Sequence, residues 1–370
     1  MQAAERAAWL RLITTPGLGP RAARQLLSTF GLPEAVFDAG LAALLRSLPE
    51  SIARTLAQPP SAEARAAIDA TEHWLAAAPD HSLLTLADTA YPQALLATAD
   101  PPLVLYAIGR VELLNRPSIA IVGSRNATRE GSENAQHFAR AMVQAGVPVE
   151  SGLALGIDAA AHRGALAASA GAISDASTIA VVGTGVDVTY PASNRTLTHE
   201  IRKRGVVISE FTLGMPAITH NFPRRNRIIA GITRGTLVVE AALRSGSLIT
   251  ARLAADAGRE VLAVPGSIHS PLSKGCHRLI RDGAKLVESA QDVLEEIGFG
   301  RPGAGRADDA PIEPAAHADV LSLVGHDPID LERLVEQSGR EPGELVGALL
   351  ELELAQHVER LPGNRYQRLR

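Results

Sequence analysis

The sequence predicts an α/β protein. Its core is a Rossmann-like, doubly wound, mainly parallel sheet, preceded by a small helical domain of the SAM or helix-hairpin-helix kind and followed by a winged helix. Three observations predict this. Between residues 83 and 297 short apolar runs alternate with helical patterns, and strands apolar on both faces belong to parallel sheets covered by helices on both sides. The region before about Ala78 is rich in Ala, Leu and Arg, with helix-length segments broken at Pro16, Gly31-Leu32-Pro33 and Pro59-Pro60. Residues 317–370 give three helical patterns and then two short extended runs around Pro362-Gly363-Asn364, the layout of a winged helix.

Composition agrees with several soluble units. The chain has 370 residues, 46% apolar and only 3% aromatic, so its cores rest on Ala, Leu, Val and Ile. The lone cysteine, Cys276, excludes an internal disulfide framework and a cysteine-rich zinc site, and suits a reducing compartment. No basic start leads into an apolar stretch, and no run is long enough to span a bilayer, so the expected location is the cytoplasm. The net charge of −4 is unevenly spread: residues 1–83, 84–295 and 296–370 carry −1, +3 and −6. Contacts with a polyanion belong to the middle segment.

In the first domain (1–82), Gly17-Leu18-Gly19-Pro20-Arg21 has the form of a helix-hairpin-helix turn, where backbone amides approach a phosphate. A tight interhelical turn with proline at the first helical position explains it equally well. In the core (83–297) the expected strands are 118–122, 147–151, 178–182, 206–209, 237–240, 261–264 and 286–287. Ligands of such sheets bind outside the carboxyl ends of the strands, so the turns there carry the function. Residues 298–316, beginning Gly298-Phe299-Gly300-Arg301-Pro302-Gly303, read as a flexible linker, and 317–370 as the winged-helix domain.

Each turn has a functional and an ordinary reading. Gly123, Ser124 and Arg125 can hold a phosphate through close backbone approach, a hydroxyl and a two-pronged guanidinium. They match neither the dinucleotide fingerprint nor the P-loop, and alone are more often simple turn chemistry. The turn from Ser151 to Asp158, with Gly152 and Gly156, opens a helix bearing Asp158 and His162 on one face. A metal pair is rejected there: no further ligand is near in sequence, and an aspartate at a helix start usually bonds within its own turn. Gly183-Thr184-Gly185 leads through Tyr190-Pro191 to Arg195, ordinarily a solvated arginine. The densest signal is Asn221-Phe222-Pro223-Arg224-Arg225-Asn226-Arg227. Three arginines beside an aromatic at a helix start join phosphate neutralisation to a ring on which bases can stack; the alternative is a solvated basic face. Ser245, Gly246 and Ser247 again suit a phosphate, or else form a helix N-cap.

Together these blocks resemble the DNA-processing protein A family, also called DprA or Smf. The ordered matches are Val-Gly-Ser-Arg at 122–125, Ser-Gly-Leu-Ala-x-Gly-Ile-Asp at 151–158 with Ala161-His162, Gly-Thr-Gly-x-Asp at 183–187, Phe-Pro-x-Arg-Asn-Arg-Ile-Ile-Ala-Gly at 222–231, Glu240-Ala241 with Ser-Gly-Ser-Leu at 245–248, and Ala263-Val264-Pro265-Gly266. The resemblance implies a Rossmann-fold domain that binds single-stranded DNA, forms a homodimer and helps load the recombinase RecA onto incoming strands in natural transformation, without a cofactor or metal. It implies that Arg125 is the main DNA-binding arginine, Arg195 a second basic contact and Phe222 an aromatic one. Two features depart from the family: Leu155 stands where many members carry a basic residue, and the connection 167–177 is longer than usual.

The tail departs from a DNA reader. Its last long helix, 342–354, has Glu344, Glu351 and Glu353 and neither Lys nor Arg, so phosphates repel it and a protein partner is expected. The rival for the core is a nucleotide-binding enzyme of the phosphoribohydrolase type. It would need a glycine-rich turn with a catalytic glutamate; none is found, and Glu210 and Glu240 are the carboxylates to watch.

Overall fold

The computed structural model describes residues 2–169, 176–299, 317–355 and 357–369. The expected linker from residue 300 on, and residues 170–175 of the long connection, lie outside them. The chain divides into two compact units, residues 1–300 and 301–370.

In the first unit, β1 (His81–Thr85), β2 (Val104–Gly109), β3 (Ile119–Val122), β4 (Val149–Ser151), β5 (Thr178–Val181), β6 (Val206–Ser209), β7 (Gly235–Val238), β8 (Glu260–Ala263) and β9 (Lys285–Leu286) form one sheet. Their order is β1-β2-β6-β5-β4-β3-β7-β8-β9. All pairings from β6 to β9 are parallel, whereas β1 and β2 run antiparallel and cover the β6 edge. All seven expected strands form. β1 and β2 lie outside the expected set, and β7 begins two residues before its expected start. Val239 and Glu240 already belong to the turn, where the Val239 amide still donates to the Val122 carbonyl at 3.1 Å.

The chain leaves β3 through β4, β5 and β6, then returns to β7 on the other side of β3. The switch point therefore lies between β3 and β7, and a crevice opens there at the strand carboxyl ends. Helices Arg129–Gln144 and Ile157–Ser169 bury Ile119, Ile121, Val149 and Leu237 on one face. Helix Asn221–Ile232 covers Ala120, Ile179, Val206 and Val238 on the other through Ile228, Ile229 and Ile232. The N-terminal helices join the same body: Trp9, Leu10 and Leu26 share a core with Tyr106, Ala180 and Val207, and the Thr71 and Tyr106 hydroxyls meet at 3.1 Å. In the hairpin turn, Gly19 is the N-cap and Pro20 the first residue of helix Pro20–Phe30, as both of its readings required.

Beside neutral hydroxyls such as those of Thr178, Ser209 and Thr236, one carboxyl is buried in this sheet. Glu150, at the middle of β4 and in register between Ala120 and Ile179, is fully buried. The Ser118 hydroxyl donates to it at 2.7 Å, and burial pushes its carboxyl up to about 8.

In the second unit, helices Ala318–Leu323, Leu331–Ser338 and Pro342–Leu354 pack with β10 (Ile329–Asp330), β11 (Val358–Leu361) and β12 (Arg365–Arg368), ordered β10-β12-β11. Val320, Leu334, Leu345, Leu349, Leu352, Val358 and Tyr366 form its core. Among the described residues no helix is long and apolar enough to cross a membrane.

Candidate nucleic-acid interface

The turn after β3 is held from both sides. The Ser124 amide donates to the Glu240 carbonyl at 2.7 Å. The Glu240 carboxylate accepts from the Thr128 amide at 2.9 Å and the Thr128 hydroxyl at 2.6 Å. Thr128 in turn caps helix Arg129–Gln144, its hydroxyl accepting from the Gly131 amide. One carboxylate from the β7 turn thus clasps the β3 turn across the switch point. From the other side the Ile157 amide donates to the Ser124 carbonyl at 3.1 Å. Gly156 sits at φ +72° with no room for a Cβ against that carbonyl, so only glycine lets the first two turns touch. The Ser124 hydroxyl, buried, accepts from the Asn126 amide.

The arginine run on helix Asn221–Ile232 divides into three fates. Arg225 turns inward and is 5% exposed. Its guanidinium donates to the Gly152 carbonyl at 2.7 Å and to the Val181 carbonyl, tying β4 to β5. A Cβ on Gly152 would lie 2.6 Å from that guanidinium. Burial lowers Arg225 to about 10, against the pull of Asp158 and with a further push from Arg125, so it stays a cation at neutral pH. Arg227, half-buried, pairs with Glu210 at 2.5 Å and with Asp100 at 3.4 Å. Arg224, the more open, reaches Glu210 at 3.1 Å and lies over the Phe211 ring. The expected triple phosphate contact from 224–227 is corrected here: Arg225 and Arg227 are committed inside the protein, because Glu210, Asp100 and two strand-end carbonyls converge on them. Asn221 is buried and Asn226 half-buried.

Arg125 has the opposite fate. It is exposed, and its guanidinium carbon lies 5.9 Å from the centre of the Phe222 ring, near the outer limit of a cation–π contact. Phe222 in turn lies 5.5 Å from Tyr190, which is 49% exposed. The Tyr190 turn is anchored by Asn194, whose amide donates to the Leu153 and Ala154 carbonyls at 3.0 and 3.3 Å. Arg195, exposed, follows at the start of helix Arg195–Arg204. The structure thus brings Arg125, Phe222, Tyr190 and Arg195 onto linked turns at one rim of the sheet. Tyr190 was missed as a site residue; an aromatic in the same glycine-led turn as Arg195 was the available signal.

Asp158 and His162 do not make a metal pair. The Asp158 carboxylate accepts from the Gly152 and Ala154 amides at 3.1 and 3.4 Å, and burial raises its pKa against the neighbouring Arg225. His162, fully buried, meets the Thr178 hydroxyl at 2.7 Å through Nδ1. That hydroxyl donates to the Val149 carbonyl, so Nδ1 carries the imidazole proton. Burial then holds the ring neutral, its pKa pushed down to about 3. Among the described residues no group of three or more His, Cys, Asp or Glu side chains is placed to hold a metal ion.

At the next turn Gly246 is the N-cap of helix Ser247–Asp256. The Ser245 and Ser247 hydroxyls meet at 2.7 Å, and Ser245 also accepts from the Ser247 amide. Ser247 is buried while Gly246 is exposed. Beyond them a cavity of about 780 Å³ runs off along helix Ser247–Asp256, sharing Arg244 and Ser245 with the rim.

The model of the family described as DNA recombination-mediator protein A matches residues 82–298, and that of the DprA winged helix domain matches residues 304–364. The chain is 39% identical over 314 residues to protein Smf of Escherichia coli, covering 83% of this chain and 82% of that one. It is 46% identical over 221 residues to DNA processing protein DprA of Streptococcus pneumoniae, covering 60% and 75%. The X-ray structure of the S. pneumoniae protein superposes with a TM-score of 0.61 at 36% identity, over 77% of this chain and 95% of that one. A structure of DNA processing protein A from Helicobacter pylori, described for its single-stranded DNA binding mode, superposes with a TM-score of 0.52 at 29% identity, over 58% and 94%.

Proposed function

The chain belongs to the DNA recombination-mediator protein A family, and from that premise we propose that it binds single-stranded DNA along the rim of its core sheet and presents it to a RecA-type recombinase. One observation carries this reading. Arg125 is exposed at the switch point, no carboxylate among the described residues pairs with it, and it stands beside the Phe222–Tyr190 pair. An open cation and two aromatic faces are what a sequence-tolerant single-strand site requires, each stacked base contributing about 1–3 kcal/mol. Arg195, Gly123, Gly156 and the Ser245–Ser247 turn extend the contact along the backbone, while Gly152, buried with its amide on Asp158 and its carbonyl on Arg225, belongs to the support beneath the rim. Ser124, Asn221, Arg225 and Arg227 shape the rim from behind, and Arg225 adds buried positive charge beneath it.

The reading is of a binder rather than an enzyme. Glu240, a carboxylate that a nucleotide hydrolase could use, is engaged with Thr128, and Glu210 with Arg224 and Arg227. We further propose functional boundaries at 1–82, 83–297, 298–316 and 317–370, a cytoplasmic location, and a homodimer through the core.

The deciding experiment is a fluorescence anisotropy titration of the full chain with oligothymidine, duplex DNA and a nucleoside monophosphate at several salt concentrations. Preference for oligothymidine, weakening with salt and lost in an Arg125→Ala/Phe222→Ala double variant, is expected. Equal affinity for all three ligands, or release of free base from the monophosphate, overturns the reading.

A further inference from the structure

Helix Pro342–Leu354 is apolar on two opposite faces. Leu345, Ala348, Leu349 and Leu352 fill the core of the second unit. On the far side Val346, Leu350 and Leu354 are 42%, 54% and 77% exposed. These three recur every fourth residue, so they form one stripe, and Gly343 and Gly347 flank it. A surface helix normally has one apolar stripe, turned toward the core, yet this one has a second stripe turned to solvent.

The glycines sharpen the point. Glycine is the least favourable residue but proline in a helix interior, where Gly347 lies, and a side chain at either glycine would meet nothing within 4 Å. Among the described residues no packing requires them. What they provide is a shallow trough on the stripe where another backbone can approach closely.

Charge selects the occupant. Glu344 and Glu351 border the stripe on one side and Glu353 on the other, and the helix has no Lys or Arg. In a winged helix this is the helix that would enter the major groove, but phosphates are repelled by such a border. A second copy of the same face would set carboxylates against carboxylates.

We propose that the exposed face of helix Pro342–Leu354 is a docking surface for an amphipathic helix of another protein, one with apolar residues at three- and four-residue spacing and Lys or Arg on its flanks. The apolar ridge of that partner lies against Val346, Leu350 and Leu354. Its backbone approaches at Gly343 and Gly347, and its cations meet Glu344, Glu351 and Glu353. This face belongs to the second unit, whereas the DNA rim belongs to the first.

A display library of random peptides, panned on the immobilised full chain, tests it. Enriched peptides should be helical, with apolar residues at that spacing and basic flanks. Their binding to the full chain should fall at least roughly tenfold with Leu350→Asp, and equally with Glu344→Lys/Glu353→Lys, which leaves the apolar stripe intact. Circular dichroism of both variants should match the parent, and binding of oligothymidine should not change. No enrichment, enriched peptides with acidic flanks, or binding indifferent to both variants overturns the proposal. So does duplex DNA competing at this face, or self-association in sedimentation that Leu350→Asp abolishes.

Discussion

Arg125 and Arg225 carry the same guanidinium, and both stand in glycine-rich surroundings at the same rim, yet the fold uses them in opposite ways. Arg125 follows a strand, meets no carboxylate among the described residues and stays in solvent beside Phe222. Arg225, one helical turn past Phe222, is drawn under the sheet rim by two carbonyls and the charge of Asp158. A dense run of cations in sequence is therefore not a dense patch on the surface. What decides is whether distant carboxylates and strand ends converge on the run, and at 224–227 they do.

The contrast can be broken hardest at Arg225. Its removal orphans the Gly152 and Val181 carbonyls and leaves Asp158 without its counter-charge, so Arg225→Ala should lower unfolding stability by about 3–5 kcal/mol. Chemical denaturation measures this, and a loss below about 1 kcal/mol would place Arg225 with the exposed arginines.

Glu150 extends the contrast to a buried carboxyl that no cation among the described residues pairs with. Its folded pKa of about 8 lies above the usual 4.5, so the folded state holds a proton that the unfolded state has lost. Its contribution to stability is complete below pH 4.5, declines as pH rises through 8 and is then constant. Denaturation midpoints from pH 5 to 9 should show that decline, amounting to a few kcal/mol, and Glu150→Gln should flatten it. A variant as pH-dependent as the parent would assign the slope elsewhere.

At the exposed end of the comparison, effects should fall on binding and spare stability. Phe222→Ala is expected to weaken oligothymidine by about 1–3 kcal/mol for each base it stacks. Arg125→Ala should move the denaturation midpoint least of all, by under about 0.5 kcal/mol. It should reduce the slope of log affinity against log salt by about 0.7, as one lost phosphate contact on a single strand requires. An unchanged slope would remove Arg125 from the phosphate path.

These fates bear on what a sequence can reveal. Most of the seven parallel strands were legible because burial on both faces makes them apolar runs, as at Ile119–Val122 and Thr178–Val181. β1 and β2 were not: His81–Thr85 starts polar, and both lie ahead of the alternating pattern that marks the parallel core. The glycine-led turns were legible as a set, since each ends a strand and opens a helix. The division among Arg224, Arg225 and Arg227 was not, because the groups that decide it, Glu210 apart, are far along the chain. Asp100 lies 127 residues before Arg227, and Gly152 lies 73 before Arg225. Tyr190 joins Phe222 only after strands β5 and β6 have set their turns side by side.

The Glu240 clasp has a last consequence. Because Thr128 is fastened to the neighbouring strand end before any ligand arrives, the loop carrying Arg125 has little freedom left to surrender. On association the entropy lost is then mainly that of the nucleic acid settling onto a ready-made bed. Loosening the clasp, as Glu240→Ala would, moves part of that ordering to the protein, and should weaken binding although Glu240 itself touches no phosphate.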